Sequence, residues 1–403
     1  MPALDGRCRG AAFRSSRGPR GCPRREAARV KTLIRGRVHG LKGESAGVLI
    51  EGAVITWIGR GSAPEHPDEE VQLAAGELLA PGFIDLQVNG FGGHDAAEGL
   101  DAIGAIADAL PTTGVTAFLP TLISAPVKSG AEFAASVSGA ESNGARVLGA
   151  HIEGPFINPS FRGAHDRSCL AEPTPEQVEV IARARPRLVT LAPELPGALE
   201  AIARLRRRGV VVSAGHTGAD FEQGGLAIKA GIRFGTHIYN AMPPVHHRRP
   251  GIALALALDR RVTVGLIADG LHVHPSVMQQ LVSVKGTSRI ALTTDQTAAA
   301  ASAPGSFQLS GRRVYSDGMV VKLEDGTLAG SASTMDDLVR RTAQLPGMSA
   351  ERAITMASSV PARVLGERRL GRISVGACAD LVVLDAELRV RQTWVGGRVR
   401  FRR

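Results

Sequence analysis

The sequence predicts an α/β protein: a TIM-like (β/α)8 barrel with a small β-sandwich formed by the N- and C-terminal segments. Three observations carry that prediction. Seven continuous apolar runs alternate with helical stretches through the middle of the chain. Segments of strand character recur at both ends. The chain, at 403 residues, is too long for one small domain but fits one large barrel with an accessory layer. A hydrophobic fraction of 44% supports a sizeable core, and with aromatics at only 4% that core must be filled by Val, Leu, Ile and Ala.

Residues 1–29 mix Arg, Gly, Pro and Ser with little apolar content and are expected to be disordered. The net charge of +10 resides largely here. Residues 1–40 hold eleven Lys or Arg against Asp5 and Glu26, which is +9 and leaves +1 for the remaining 363 residues. The body is therefore close to neutral, and no nucleic-acid partner is expected for it. An Arg-rich transit peptide or a weak nucleic-acid tether is an alternative for the tail; a nonfunctional extension is the simpler reading. No run of 18 apolar residues occurs, so no membrane span is expected. The cysteines (Cys8, Cys22, Cys169, Cys378) form no close pair, which argues against a disulfide framework or a Cys-based metal site and for the cytoplasm.

Residues 30–80 read as short strands; AGVLIEGAVITWIG (46–59) turns at Gly52 as a hairpin would. From 81 to 365 the barrel is expected. VTAFLPTLI (115–123), RVLGAHIEG (146–154), RLVTLAPE (187–194), GVVVSAGHT (209–217), IRFGTHIYN (232–240), VTVGLIADG (262–270) and RIALTTDQ (289–296) are apolar runs of the kind buried on both faces. Helical stretches such as 198–208 and 275–284 separate them, giving seven or eight strands. Strand character returns over 366–403, so the two ends are expected to meet in the sandwich.

The strands end in polar groups: Glu153, Glu194, His216, His237, Asp269 and Asp295. A barrel gathers such ends on one rim. Glu153, His216 and His237 offer one oxygen and two nitrogens, a set suited to a catalytic divalent metal with a position left for water. Asp295 would then take a proton from that water and give it to the leaving amine. A single histidine at a strand end is more often structural; three polar groups at successive ends favour a metal hydrolase.

More specific are five motifs in order: His151-Ile152-Glu153-Gly154-Pro155-Phe156, Ser213-Ala214-Gly215-His216-Thr217, Thr236-His237-Ile238-Tyr239-Asn240-Ala241-Met242, Ala268-Asp269-Gly270-Leu271-His272 and Thr294-Asp295. Together with Leu328-Ala329-Gly330-Ser331 and Ala379-Asp380-Leu381-Val382 they resemble the N-acetylglucosamine-6-phosphate deacetylases of the amidohydrolase superfamily, over roughly 30–400. The resemblance implies hydrolytic deacetylation of a sugar phosphate, with one divalent metal per subunit on Glu153, His216 and His237. Zinc is the first expectation, with iron or another first-row ion as alternatives. It implies that Asp295 is general base and acid, that His165 polarises the acetyl carbonyl, and that Ala164, Asn240, Ala241, Arg248 and His272 contact the substrate. It also implies a homodimer in which phosphate contacts cross the interface.

Gln87-Val88-Asn89 stands where many amidohydrolases carry His-x-His, which points to one principal metal. Gln296 stands where a small residue is commoner, and Arg249 competes with Arg248 for the phosphate. Glu194 reads as a rim residue, His274 as a helix cap and His94 as an exposed loop residue. The same chemistry on the galactosamine epimer, another cyclic-amide hydrolase or deaminase, and a non-catalytic barrel are the alternatives. The retained ligand set argues against the last.

Overall fold

The computed structural model describes residues 30–43, 45–138, 140 and 142–403. The expectation of a disordered tail at 1–29 lies outside them.

Eight parallel strands form the barrel: β1 (Phe83–Val88), β2 (Val115–Ile123), β3 (His151–Glu153), β4 (Leu188–Leu191), β5 (Val211–Ala214), β6 (Phe234–Gly235), β7 (Thr263–Leu266) and β8 (Ile290–Leu292). Each pairs with the next, and a parallel bridge between Val88 and Gln296 brings the last segment back to the first. The strands are almost wholly buried, as their apolar runs require when helices cover the outside. Helices Pro175–Ala184, Ala198–Arg207, Phe221–Ala230, Gly251–Leu258 and Pro275–Lys285 form part of that cover. His274 caps the last of these, its Nδ1 accepting from Ser276 N at 3.2 Å.

One element departs from the sequence reading. Between β8 and helix Met335–Ala343 the chain forms an antiparallel sheet of β9 (Gly305–Leu309), β10 (Arg312–Ser316), β11 (Val320–Lys322) and β12 (Leu328–Ser331). Its first hairpin is closed by Ser310-Gly311, with φ of +48° and +81°, the two-residue turn whose twist suits paired strands. Leu309, Val314, Val321, Leu323 and Ala329 pack from this sheet against Ile123, Ala164 and Ala299 at the barrel rim.

The chain ends meet away from the rim. Strand Lys31–Val38 pairs with Ala46–Glu51 and Glu69–Gln72 along its first part and with Leu78–Pro81 at its end. Leu78–Pro81 pairs in turn with Leu381–Leu384, followed by Val390–Val395 and Arg398–Arg402. Ile34, Val48, Ile50, Leu79, Leu381 and Trp394 fill the space between the two halves of this sandwich. Arg146 joins it to the barrel by a bidentate pair with Asp380 at 2.7 and 3.0 Å. Cys169 is free and Cys378 is disulfide-bonded. Among the described residues no helix is long and apolar enough to cross a membrane.

Candidate active site

The strand ends converge as their positions require. Glu153 Oε1 lies 3.3 Å from His216 Nε2 and 3.1 Å from His237 Nε2, and the two ring nitrogens are 3.1 Å apart. His165 Nε2 is 3.7 Å from Glu153 Oε2. Glu153, His165, His216 and His237 are all buried. They line a cavity of ≈ 380 Å³ with Asp295, Ala164, Asn240, Ala241 and His272, a size suited to a small molecule. Arg248 is exposed and does not line that cavity; Arg249 is exposed too. His94 is exposed as expected, but it stands in a short strand, His94–Asp95, paired with Gly90–Phe91, rather than in a loop.

Backbone geometry marks the same place. His216, His237, Tyr239, Ala241 and Asp295 all take positive φ, between 28° and 77°. Left-handed backbone costs such residues on the order of 1–3 kcal/mol each, and it persists where the surroundings fix it. Here it turns the chain sharply at the strand ends so that side chains face inward.

Hydrogen bonds sort the histidines by tautomer. His216 Nδ1 faces the Phe161 carbonyl at 2.9 Å and must donate to it, which leaves a lone pair on Nε2. His165 Nδ1 accepts from the Ser124 amide at 3.1 Å, so its proton sits on Nε2. Glu153, His165 and His216 bring ligand-type atoms within 4.8 Å of one another, but His237 Nε2 is nearer to Glu153 (3.1 Å) than His165 Nε2 is (3.7 Å). Since His165 Nε2 is a donor, Glu153, His216 and His237 are the three that could hold a metal ion. An oxygen and two imidazole nitrogens crowded within 3.3 Å, one of the nitrogens with no proton to share, fit a divalent cation.

Electrostatics agree. Burial pushes His165 down to about 4, keeping it neutral. Burial, with Glu153 nearby, raises the Asp295 carboxyl to about 6. Burial also opposes ionisation of Glu153, but the three imidazoles around it outweigh that and hold it well below the usual carboxylate range.

Sequence reasoning missed Ser124 and the hydrogen bonds by which residues it had named hold the site. Gln87 Nε2 donates to Glu153 Oε1 at 3.0 Å and Asn89 Nδ2 to Asp295 Oδ1 at 2.8 Å, so the two first-strand amides orient carboxylates. Ser124 fixes His165. Asp269 Oδ2 meets His272 Nδ1 at 2.6 Å and so holds an imidazole that lines the cavity. Glu194 accepts from Gly218 N and Asn158 Nδ2, holding the loops on either side of His216. Leu309, Thr327 and Leu328 of the inserted sheet supply one cavity wall. Gln296 is buried with its side-chain amide unpaired among the described residues and does not line the cavity.

A model of the Amidohydrolase family matches residues 78–400. The chain belongs to the amidohydrolase family. This amidohydrolase is 37% identical over 351 residues to the N-acetylglucosamine-6-phosphate deacetylase of Bos taurus, spanning 82% of this chain and 85% of that one. It is 38% identical over 331 residues to the N-acetylgalactosamine-6-phosphate deacetylase of Escherichia coli O157:H7, spanning 80% and 88%. The N-acetyl-D-glucosamine-6-phosphate deacetylase of Mycobacterium smegmatis, solved as a mutant with N-acetyl-D-glucosamine-6-phosphate, superposes with a TM-score of 0.85 at 30% identity, covering 93% of this chain and 100% of that chain.

Proposed function

We propose that this amidohydrolase hydrolyses N-acetylglucosamine 6-phosphate to glucosamine 6-phosphate and acetate, in amino-sugar catabolism and recycling. The observation that carries the reading is one cavity in which Glu153, His216 and His237 meet Asp295 and His165. Relatives that span four-fifths of the chain are named for this chemistry.

Glu153, His216 and His237 would hold one divalent ion per subunit, zinc first, with iron or another first-row ion as alternatives. When bound, that ion supplies Lewis acidity, lowering the pKa of a water nucleophile to about 7. Asp295 takes the proton as the water oxygen attacks the acetyl carbon. His165, with its proton on Nε2, donates to the carbonyl oxygen as negative charge gathers there. Asp295 then gives its proton to the amide nitrogen while the C–N bond breaks, releasing acetate and the free amine. Ala164, Asn240, Ala241 and His272 bind the sugar phosphate. Arg248 lies on the exposed loop beyond Asn240, and this supports its use against phosphate across a homodimer.

We read 30–80 with 366–403 as a sandwich module, 81–365 as the catalytic barrel and the cytoplasm as the compartment. Acetate release from N-acetylglucosamine 6-phosphate, paired with metal analysis of protein purified without added metal, tests the reading. The E. coli relative's name favours one second reading, the galactosamine epimer. Side-by-side kcat/KM on the two sugar phosphates decides between them. Activity on neither would sink both.

A further inference from the structure

We infer that Arg312, on the inserted sheet, is a positioning residue for His165 and thereby for polarisation of the scissile carbonyl. The inference rests on the reaction proposed above. His165 lies on an irregular loop between two short turns, Pro159–Phe161 and Arg167–Cys169, and no regular element carries it. Its imidazole is held chiefly at Nδ1, which meets the Ser124 amide and hydroxyl at 3.1 and 2.8 Å, with Nε2 3.7 Å from Glu153 Oε2. Its backbone is held by Arg312. Arg312 Nη1 donates to the Ala164 carbonyl at 2.6 Å and points to the His165 carbonyl at 3.4 Å, across 148 and 147 residues of sequence.

A guanidinium bond to a carbonyl is charge-assisted and therefore stronger than a neutral one. The Arg312 charge also reaches the next residue, Asp166, whose carboxyl is held low first by Ser168 and further by Arg312. Around this contact Ala164 packs with Leu309 and Val314 of the same sheet. Without Arg312 the loop keeps its turn at Gly163, with φ of +54°, but loses a charged hydrogen-bonding anchor to the sheet. Arg312 itself does not line the cavity, so it acts through His165 rather than on the substrate.

The test is a double-mutant cycle on N-acetylglucosamine 6-phosphate, with metal content and thermal midpoint followed in every variant. Arg312→Ala should lower kcat by about 10- to 100-fold, the scale of a misplaced catalytic group. KM and metal content should stay within about twofold, and Arg312→Lys, or millimolar guanidinium added to Arg312→Ala, should recover part of the loss. In a His165→Asn background the same Arg312→Ala change should cost less than about twofold, because the group it positions is gone. Arg312→Gln carries the same test where the alanine variant does not fold. Multiplicative losses in the double variant, or a loss confined to KM or metal content, would overturn the inference alone. Full activity in His165→Asn would overturn the proposed role of His165 and this inference with it.

Discussion

The proposed ligand side of the cavity, Glu153, His216 and His237, and its proposed acid–base side, Asp295 and His165, are held by different parts of the fold. The ligand side stands at the ends of β3, β5 and β6, above a buried polar layer in which His151, Thr190, Thr236 and Ser213 bond to one another at 2.6–2.8 Å. The acid–base side depends on longer links: Asn89 to Asp295, Ser124 and Arg312 to the His165 loop, and Ser331 N to the Asp295 carbonyl at 2.9 Å. The first is part of a closed sheet. The second has Asp295 and Asn89 just past barrel strands, but the His165 segment and the remaining supports come from loops and the added sheet. Damage on the ligand side should therefore be all-or-none, whereas damage on the acid–base side should be graded.

The largest expected effect tests the first half of that contrast. Glu153→Gln removes the only anionic ligand among three, so metal content and activity should fall together to background. Retention of stoichiometric metal after extensive dialysis would contradict the assignment. Asp295→Asn should behave differently, keeping the metal while losing about 10³-fold or more in kcat, because the proton shuttle is lost and the ligand set is intact. Metal analysis and turnover on the same samples separate the two. A smaller loss, about tenfold in kcat, is expected from Asn89→Ala, which leaves Asp295 in place but frees Oδ1 from its 2.8 Å donor. A change confined to KM would mean that Asn89 serves binding instead.

The same contrast explains what the sequence made legible. The convergence of Glu153, His216 and His237 could be read because each ends a continuous apolar strand, and a barrel leaves those strand ends nowhere else to meet. Asp295 was readable for the same reason. The inserted sheet was not, although its turns, Ser310-Gly311, Asp317-Gly318 and Asp325-Gly326, are written in hairpin pairs. Its strands carry charges and alternate, so against the buried barrel runs they resembled connecting segments. Arg312 and Ser124 were invisible because each meets His165 only through tertiary contact over more than forty residues. Gln87 and Asn89 were noticed for the imidazoles they replace; their role as donors to Glu153 and Asp295 required coordinates.

The smallest effect concerns the sheet's tether to the barrel. Asp95, buried just after β1, accepts from Ala97 N at 3.0 Å and from Ser310 N at 2.5 Å, so it pins the first turn of the inserted sheet. Burial raises its carboxyl to about 6, with Glu98 adding a little. A carboxyl raised in the fold binds its proton more tightly there than in the unfolded chain. Its stabilising contribution is therefore complete below the unfolded value, near 4, and is lost as pH climbs through about 6. A rise of about two units corresponds to on the order of 3 kcal/mol at most. Asp95→Asn cannot titrate, so the stability difference between wild type and variant should shrink, or change sign, between pH 4 and pH 7. Asp85, raised to about 6 by its own burial, is present in both proteins and cancels, as does any loss of metal in acid. Urea unfolding of the two proteins at pH 4, 5, 6 and 7 reads the difference directly. Parallel curves would mean that Asp95 is already ionised in the fold, stabilised by its two amide donors, and that the inserted sheet is tied to the barrel as firmly as the ligand strands are to one another.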